Sequence, residues 1–600
     1  MMALRRRDKR LVALLLSITL LIFSCVSNLR RSPQGNGVNV ILMIGDGMGW
    51  EMARAAAVAK GVPMYTSGKG QGLSFQTLSG YTLATTYGTT IPGTDGKFST
   101  NNSALNGTDP VTAKSSVLNG FSFDPTLNPD SAATVDLPNT AIQTTSRGNI
   151  VGYDTARGGA NPWTPGNDRE YIKHSYPDSA NTATALYTGV KTYNNAMGVD
   201  IYERRQTTIL QQAALKGKST GLVTSVPISH ATPGAAISFV NRRSKYDKDS
   251  PDLDNILQQS LRIFKPTVLL GGGHPLDQDN KTSLSGGSNY TYIRQSTYNK
   301  LKKQPTTEYG YTFIERGPNA AANLLKTAAQ IDPNDGEKLL GLYGARGQNG
   351  NLPYSSAKGD YSSTGLDSAS LFSTAVKNNQ IPQPDTVRPL LPGETDAQFI
   401  AKEVNENPTL SDLTTAALTI LGKDPDGFWL MVEGGDIDWS CHDDNLDNLI
   451  GTMNDFDKSV QTAIAWIQKN GGWQKNLLIV TADHDHYLTL NPNFPDLLTQ
   501  KGARYLTYNQ HKPAEAGHFW GSDPNVKYGW GSHSNHLVPV YYQGGPVDLA
   551  KYVGKEVTFV NRPPGGAAKT YTIAGVPGAV DETHIYQAML ETINAPGVVK

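Results

Sequence analysis

The sequence is poor in cysteine, with only Cys25 and Cys441 among 600 residues. If Cys25 is cleaved off or acylated, no disulfide can form, and stability must come from the core and from any bound metal. An excess of either charge is also lacking, because 53 Lys and Arg residues balance 53 Asp and Glu residues. Since this balance gives no bulk attraction to nucleic acid or to an anionic surface, we expect no nucleic-acid partner.

The first 25 residues have the pattern of a signal peptide. Basic residues at positions 5–7, 9 and 10 precede a largely apolar stretch, Leu11 to Phe23, which is too short to span a bilayer comfortably. Ser24-Cys25 resembles the lipobox of bacterial lipoproteins, but an ordinary cleavage site fits equally well, and an uncleaved anchor helix is a third alternative. All three predict an exported protein, periplasmic or at the cell surface, with Cys25 as the candidate lipid anchor.

Three apolar runs end in polar, metal-ligating residues. They are Val40 to Ile44, Phe428 to Val432 and Leu477 to Ala482. Such runs are typical of strands buried on both faces, and parallel sheets gather ligands at the carboxyl ends of their strands. The runs alternate along the chain with helical segments, of which Trp50 to Lys60, Ala320 to Gln330 and Leu446 to Asn470 are examples. The pattern predicts an α/β fold with a large, mostly parallel central sheet and helices on both faces.

The domain organisation predicted from composition is simple. Residues 26–37 form a linker, and residues 38–600 form a single catalytic domain. Residues 88–170 and 489–530 are loop-rich insertions, because they are polar or aromatic and show little periodicity.

Seven side chains beyond the apolar runs are candidate metal ligands. Their mixture of carboxylate oxygen and imidazole nitrogen suits zinc, whereas an all-oxygen position suits magnesium or calcium. The spacing of Asp438 and His442 predicts one helical turn between them. The candidates are Asp46, Glu433, Asp438, His442, Asp483, His484 and His533.

Ser179 is the candidate nucleophile. It lies in Pro177-Asp178-Ser179-Ala180, where a proline followed by small residues predicts a helix N-terminus, a place where backbone dipoles favour an anion. From this segment alone, a helix-capping role for Ser179 is the favoured interpretation.

Six short motifs follow one another along residues 38–595. The motifs are Ile44-Gly-Asp46-Gly-Met-Gly, Asp178-Ser179-Ala-x-Thr-Ala, His230-Ala-Thr232-Pro233, Val432-Glu433-Gly-Gly-x-Ile-Asp438, Thr481-Ala-Asp483-His484 and Ser532-His533. Together they resemble the metal-dependent alkaline phosphatases. The match in order is specific, although each motif alone is modest evidence.

The resemblance implies a role for each position. Ser179 would attack phosphorus and form a phosphoseryl intermediate, in contact with a zinc ion held by Asp46, Asp483 and His484. A second zinc would be held by Asp438, His442 and His533. Glu433 and Thr232 would share a third, magnesium-like site with Asp46. An ion of this kind can replace the general base that a serine otherwise needs.

The family also places a phosphate-binding arginine about eleven residues after Thr232. Counting gives Arg243, with Arg242 beside it, and Tyr246 three residues further supports Arg243. A guanidinium suits this task because it grips two phosphate oxygens at once.

Two positions depart from the pattern of some relatives. His230 stands where some have Asp, and Trp439 where some have Lys. This leaves the third ion's identity open, and His230 is either its ligand or a buried core histidine.

Other histidines and acids are less favoured as ligands. His533 is favoured over His536, and His486 is interpreted as a packed or supporting neighbour. We interpret Asp436 and Asp485 as solvated or supporting residues and not as ligands, and His274, His511 and His518 as ordinary loop residues.

The leading hypothesis is an exported, broad-specificity hydrolase of small-molecule phosphate monoesters, and the resemblance also suggests a homodimer. The alternatives are a phosphodiesterase or sulfatase-like member of the same superfamily, and a non-catalytic phosphate- or metal-binding lipoprotein. Sulfatases need a Cys/Ser-x-Pro-x-Arg sequence that Ser179 lacks, and diesterases usually use Thr as the nucleophile. A binding protein would have no use for a metal-activated serine.

Overall fold

The computed structural model of the protein describes residues 37–89, 91–92, 98–99, 152–173, 176–201, 203–247, 255–275, 290–361, 390–561 and 567–595. The predicted signal peptide, Cys25, most of the linker and most of the 88–170 insertion lie outside the described residues. Within the described ranges, no helix combines the length and the apolar character needed to cross a bilayer.

A ten-stranded sheet forms the centre of the molecule. Its strands in spatial order are Ala579–Asp581, Gly80–Thr85, Val538–Gly544, Asn476–Thr481, Asn39–Gly45, Phe428–Gly434, Ser219–Pro227, Val268–Gly272, Leu339–Leu342 and Thr312–Glu315. Val538–Gly544 is antiparallel to both of its neighbours, and every other pairing in this sheet is parallel. The predicted mostly parallel sheet is therefore confirmed.

The three apolar runs form the middle of this sheet. Asn39–Gly45 pairs with Asn476–Thr481 on one side and with Phe428–Gly434 on the other. The last two of these strands are completely buried, as expected for a sheet covered on both faces. The register sets Ile44 opposite both Glu433 and Thr481, so the polar residues that follow meet at one edge.

Helices cover the sheet in two separate groups. One group packs around Leu446–Lys469 and includes Trp50–Ala59, Leu410–Leu421 and, beyond that helix, Ala320–Gln330. The other packs around Ser179–Thr188 and includes Ala231–Ala236, Ile209–Leu215 and Glu582–Asn594. The remaining α-helices are Thr155–Gly158, Ile256–Gln259, Gln295–Lys303, Pro305–Glu308, Asp396–Glu406, Asp436–His442, Gly472–Lys475, Phe494–Lys501, Ala503–Tyr508 and Pro513–Ala516.

The expectation that residues 489–530 are loop-rich is wrong in part. This segment contains the helices Phe494–Lys501, Ala503–Tyr508 and Pro513–Ala516. The first of these helices carries a sequence signal, because Phe494, Leu497 and Leu498 have the i, i+3, i+4 spacing of an apolar helix face and pack at the core.

A two-stranded ladder lies beside the carboxyl edge of the sheet. It pairs Asp485–His486 with His533–Ser534 in antiparallel register, with Asp485 opposite Ser534 and His486 opposite His533. We call these four residues the short ladder. Residues paired across such a ladder point to the same face, and neighbours along a strand point to opposite faces.

Candidate metal centre and nucleophile

Three buried carboxylates converge at the carboxyl ends of the central strands. Asp46 directly follows Asn39–Gly45, Glu433 lies at the end of its own strand, and Asp483 lies two residues beyond Asn476–Thr481. All three are buried, with 1% or less of their surface exposed. The positions follow from the parallel register, which aligns the strand ends.

The first cluster of donor atoms consists of Asp46, Asp483 and His484. His484 Nε2 lies 3.2 Å from Asp46 Oδ1 and 3.4 Å from Asp483 Oδ2. Backbone N–H groups of Gly47 and His484 donate to Asp483 Oδ1 at 3.0 and 2.9 Å. These bonds fix one carboxylate oxygen and leave the other facing the cluster.

The second cluster gathers around Asp438. The helix Asp436–His442 brings His442 Nε2 to 3.5 Å from Asp438 Oδ1, which confirms the predicted helical turn. His533 Nε2 lies 3.2 Å from the same oxygen and 2.9 Å from His442 Nε2. The His484 and His533 rings stack at 3.6 Å, so the two clusters are adjacent.

Backbone carbonyls orient two of these imidazoles. His442 Nδ1 lies 2.9 Å from the carbonyl oxygen of Gly531, and His533 Nδ1 lies 2.7 Å from that of Pro177. A carbonyl can only accept, so Nδ1 carries the proton in each ring. The unprotonated Nε2 of each ring is then directed at Asp438, which is the arrangement that metal-binding histidines need.

Among the described residues, the buried carboxylates of this centre have no Lys or Arg partner that would compensate their negative charge. In the described part of the chain, no Lys or Arg forms an ion pair with Asp46, Glu433, Asp438 or Asp483. Burial raises the pKa of Asp46 well above its usual range, and Asp438 and Glu433 raise it further. Burial likewise raises the pKa of Glu433 to about 7. Buried carboxylates at this distance repel one another unless a metal compensates them, so the donor set fits divalent ions.

Glu433 and Thr232 extend the centre on the side of Asp46. Thr232 Oγ1 donates to Asp46 Oδ2 at 3.1 Å. Glu433 Oε2 accepts from Thr224 Oγ1, whereas Glu433 Oε1 has no hydrogen-bond partner among the described residues. An unpaired, buried carboxylate oxygen is costly without a ligand, which suits the predicted third ion.

Ser179 is the first residue of the helix Ser179–Thr188. The interpretation of Ser179 as the cap is wrong, because Asp178 is the N-cap and accepts a hydrogen bond from the backbone N–H of Asn181 at 3.0 Å. Ser179 Oγ is therefore free to face the donor atoms. It donates to Asp46 Oδ1 at 3.4 Å and lies 3.3 Å from His484 Nε2.

The structure brings Arg243, and not Arg242, to this centre. Arg243 Nη1 donates to Asp178 Oδ2 at 3.1 Å, and its Nη2 lies 3.4 Å from His230 Nε2. Burial is the largest single effect and opposes the charge of Arg243, but Asp178, Tyr246 and Asp46 together outweigh it and raise the pKa of Arg243. Arg242 instead lies close enough to Tyr193 to oppose the rise that burial causes in the pKa of the phenol.

His230 lies at the rim of the same centre. Its ring is 5.5 Å from that of Trp439, and its Nδ1 has no hydrogen-bond partner among the described residues. Burial, reinforced by Arg243, lowers the pKa of His230 to about 3, so the ring is neutral at physiological pH. A neutral imidazole that lies beside Arg243, two residues before Thr232, fits either of the two roles left open by the sequence.

His486 is closer to the donors than its sequence suggested. Its Nε2 lies 2.7 Å from Asp438 Oδ1, and it belongs to the same cluster as His484 and His533. The spacing of two residues between His484 and His486 could have indicated this, since in an extended segment it places both side chains on one face.

Asp436 and Asp485 are buried and not solvated. Asp436 accepts from Ser225 Oγ at 2.6 Å, and Asp485 accepts from Ser534 Oγ at 2.6 Å. His536 is not a member of either donor cluster, in agreement with the preference for His533. His274 and His518 are buried, whereas His511 is exposed.

The chain is similar to known phosphatases. The family model described as "Alkaline phosphatase" matches residues 164–552. Alkaline phosphatase H of Pseudomonas aeruginosa (strain UCBPP-PA14) is 32% identical over 342 residues, which cover 54% of this chain and 62% of that protein. Alkaline phosphatase of Escherichia coli (strain K12) is 31% identical over 316 residues, covering 52% and 58%. The chain thus spans about three fifths of the length of these relatives.

Among solved structures, the cold-active alkaline phosphatase of the psychrophile Shewanella sp. aligns with a TM-score of 0.48 and 19% identity. The alignment covers 92% of this chain and 99% of that one.

Proposed function

Because the chain belongs to the alkaline phosphatase family, we propose that it hydrolyses phosphate monoesters of broad structure through a phosphoserine intermediate. The proposal depends chiefly on the position of Ser179. Its hydroxyl lies at the start of a helix, within 3.4 Å of both Asp46 and His484, beside a cluster of buried carboxylates and imidazoles.

The residues divide the reaction between them. Ser179 Oγ attacks phosphorus, the bond from phosphorus to the leaving oxygen breaks, and that oxygen departs as an alcohol after gaining a proton. Water then attacks phosphorus, which releases inorganic phosphate and restores the Ser179 hydroxyl. Arg243 binds two non-bridging oxygens of the phosphoryl group and holds it for both attacks. Asp178 orients Arg243 and caps the helix of Ser179 at the same time.

The metals proposed are two zinc ions and one magnesium ion. Asp46, Asp483 and His484 would hold one zinc beside Ser179, and Asp438, His442 and His533 would hold the other. Thr232 and Glu433, with Asp46, would hold magnesium, which prefers oxygen ligands. Bound zinc would lower the pKa of the hydroxyl or water that it contacts and would compensate the negative charge of the phosphoryl group.

The test compares hydrolysis of p-nitrophenyl phosphate with that of bis(p-nitrophenyl) phosphate. A monoesterase releases p-nitrophenol much faster from the monoester, whereas a faster reaction with the diester supports the phosphodiesterase alternative. Ser179→Ala should abolish turnover while metal analysis shows unchanged ion content. Ser411→Ala, a serine on the distant helix Leu410–Leu421, is the matched control. Full activity of Ser179→Ala would refute the serine mechanism.

We also propose that the protein is exported, with Cys25 either lipid-modified or removed with the signal peptide, and that it forms a homodimer. The basic and apolar pattern of residues 1–25 and the resemblance to the family support these points. Intact-mass measurement of the mature protein distinguishes acylation from simple cleavage, and light scattering determines the number of subunits.

A further inference from the structure

A cavity of about 470 Å³ lies behind the metal centre. The short ladder separates the two. His486 and His533 point from one face of the ladder to Asp438, and Asp485 points from the other face into the cavity. Tyr487, which follows His486, also lines the cavity, as strand alternation requires. The cavity is therefore distinct from the centre that would bind phosphate.

The walls of the cavity are largely aromatic and apolar. The rings of Trp50 and Trp163 lie 5.3 Å apart at an angle of 49°, and Tyr487, Met64 and Leu490 continue the lining. The volume is in the range that binds small organic molecules, and such sites combine apolar walls with few polar groups. A planar aromatic ring is the body that these walls fit best.

The polar groups of the cavity leave one acid without a cation. Glu51 accepts two hydrogen bonds from Arg54, at 2.6 and 2.7 Å, so this pair compensates itself. Asp168 pairs with Arg157 at 2.8 Å. Asp485, in contrast, forms no ion pair with a Lys or Arg of the described chain and accepts a side-chain hydrogen bond from Ser534 alone. Arg169 at the rim is exposed to solvent, which weakens its effect on the interior.

His536 provides a second observation that points to a ligand. It lines the cavity, and its Nε2 is shielded from solvent without a hydrogen-bond partner among the described residues. Burial lowers the pKa of His536 to about 4, so the ring is neutral and can accept a hydrogen bond. The cavity thus offers two acceptors, Asp485 and His536, and aromatic walls.

We propose that this cavity binds a small organic cation: an aromatic ring that packs between Trp163 and Tyr487, with an ammonium group that donates to Asp485. The ammonium compensates the charge of the buried Asp485 carboxylate. Another of its N–H groups can donate a hydrogen bond to His536 Nε2. The site is independent of phosphate binding.

The first experiment uses the full, metal-loaded protein and three indole compounds that differ only in their side group. These are tryptamine, a cation, tryptophol, its neutral counterpart, and indole-3-acetate, an anion. Calorimetric titration should show saturable binding of tryptamine, about tenfold tighter than of tryptophol, and the weakest binding for indole-3-acetate. Saturating inorganic phosphate should leave the tryptamine affinity unchanged. Absence of saturation, preference for the anion, or displacement by phosphate would each overturn the proposal.

The second experiment locates the site. Trp163→Ala should weaken tryptamine binding by about threefold to tenfold, because it removes one aromatic contact. Trp473→Ala removes a half-buried tryptophan that does not line the cavity and should leave the affinity unchanged. Asp485→Asn should abolish the preference for tryptamine over tryptophol. Thr489→Trp, which fills the cavity from the strand Leu488–Leu490, should prevent binding of all three compounds. Equal affinities in Trp163→Ala, Thr489→Trp and the wild type, each shown to be folded by circular dichroism, would place the binding elsewhere.

Discussion

Arg243 donates a hydrogen bond to Asp178, and Asp178 caps the helix that begins at Ser179. One carboxylate therefore fixes both the candidate nucleophile and the candidate phosphate-binding group. Its two oxygens are divided between these tasks, since Oδ1 accepts from Asn181 and Oδ2 from Arg243.

Asp178→Ala should weaken inhibition by inorganic phosphate, because Arg243 loses the bond that orients its guanidinium. The same change should lower the free energy of unfolding by about 1 kcal/mol through loss of the helix cap. Inhibition constants and urea denaturation measure the two effects. Asp548→Ala removes a comparable cap, that of the short helix Leu549–Tyr552, away from the site. Unchanged phosphate inhibition in Asp178→Ala would contradict the orienting role.

Arg243→Lys should lower kcat/KM by about tenfold to a hundredfold, because lysine keeps the charge but loses the paired hydrogen bonds. Arg242→Lys should have little effect, since Arg243 provides the bonds to Asp178 and His230. Steady-state kinetics with a single phosphate monoester measure both variants. A larger loss in Arg242→Lys would mean that the two arginines have been assigned in the wrong order.

Glu433→Gln should change stability in opposite directions with and without metal. After treatment with a chelator, the variant should be more stable than the wild type by about 1–3 kcal/mol, because a buried, uncompensated carboxylate has been removed. With metals restored, it should be the less stable of the two and should bind one ion fewer. Thermal unfolding and metal analysis, with the exposed Glu337→Gln as control, measure this crossover. A variant that is destabilised equally in both states would exclude Glu433 from the third site.

His518 should make the protein sensitive to acid. Burial lowers its pKa from 6.5 to about 3. As the pH falls below 6.5, His518 binds a proton in the unfolded chain but not in the folded chain. The free energy of unfolding therefore decreases until the pH approaches 3. This contributes about 1.4 kcal/mol per pH unit within that window. Urea denaturation of His518→Leu should show a shallower loss between pH 6 and pH 4 than the wild type, whereas His511→Leu, at an exposed histidine, should match the wild type.

The sequence predicted the sheet and most of the site because both depend on local patterns. Apolar runs before Asp46, Glu433 and Asp483 indicated buried strands, and the rule for parallel sheets placed their ends together. The cap was assigned wrongly because Asp178 and Ser179 are both good capping residues, and only the backbone geometry decides between them.

The cavity could not be predicted, since its lining comes from residues as distant as Trp50, Trp163 and His536. No local pattern brings these three together. The helices between residues 494 and 516 were missed because they are short, and the apolar spacing of Phe494, Leu497 and Leu498 in the first of them covers little more than one turn.

The neighbouring strands Asn39–Gly45 and Asn476–Thr481 are joined by a side-chain bond between residues 437 positions apart. A chain that is still being synthesised has neither neighbour of the first strand until Phe428–Gly434 emerges, which takes roughly 20 s or more at ordinary rates of translation. Asp46 therefore remains without Asp483 until the strand Asn476–Thr481 and the residues after it have been synthesised. The order of the sequence itself therefore delays completion of both donor clusters until His533 has been synthesised.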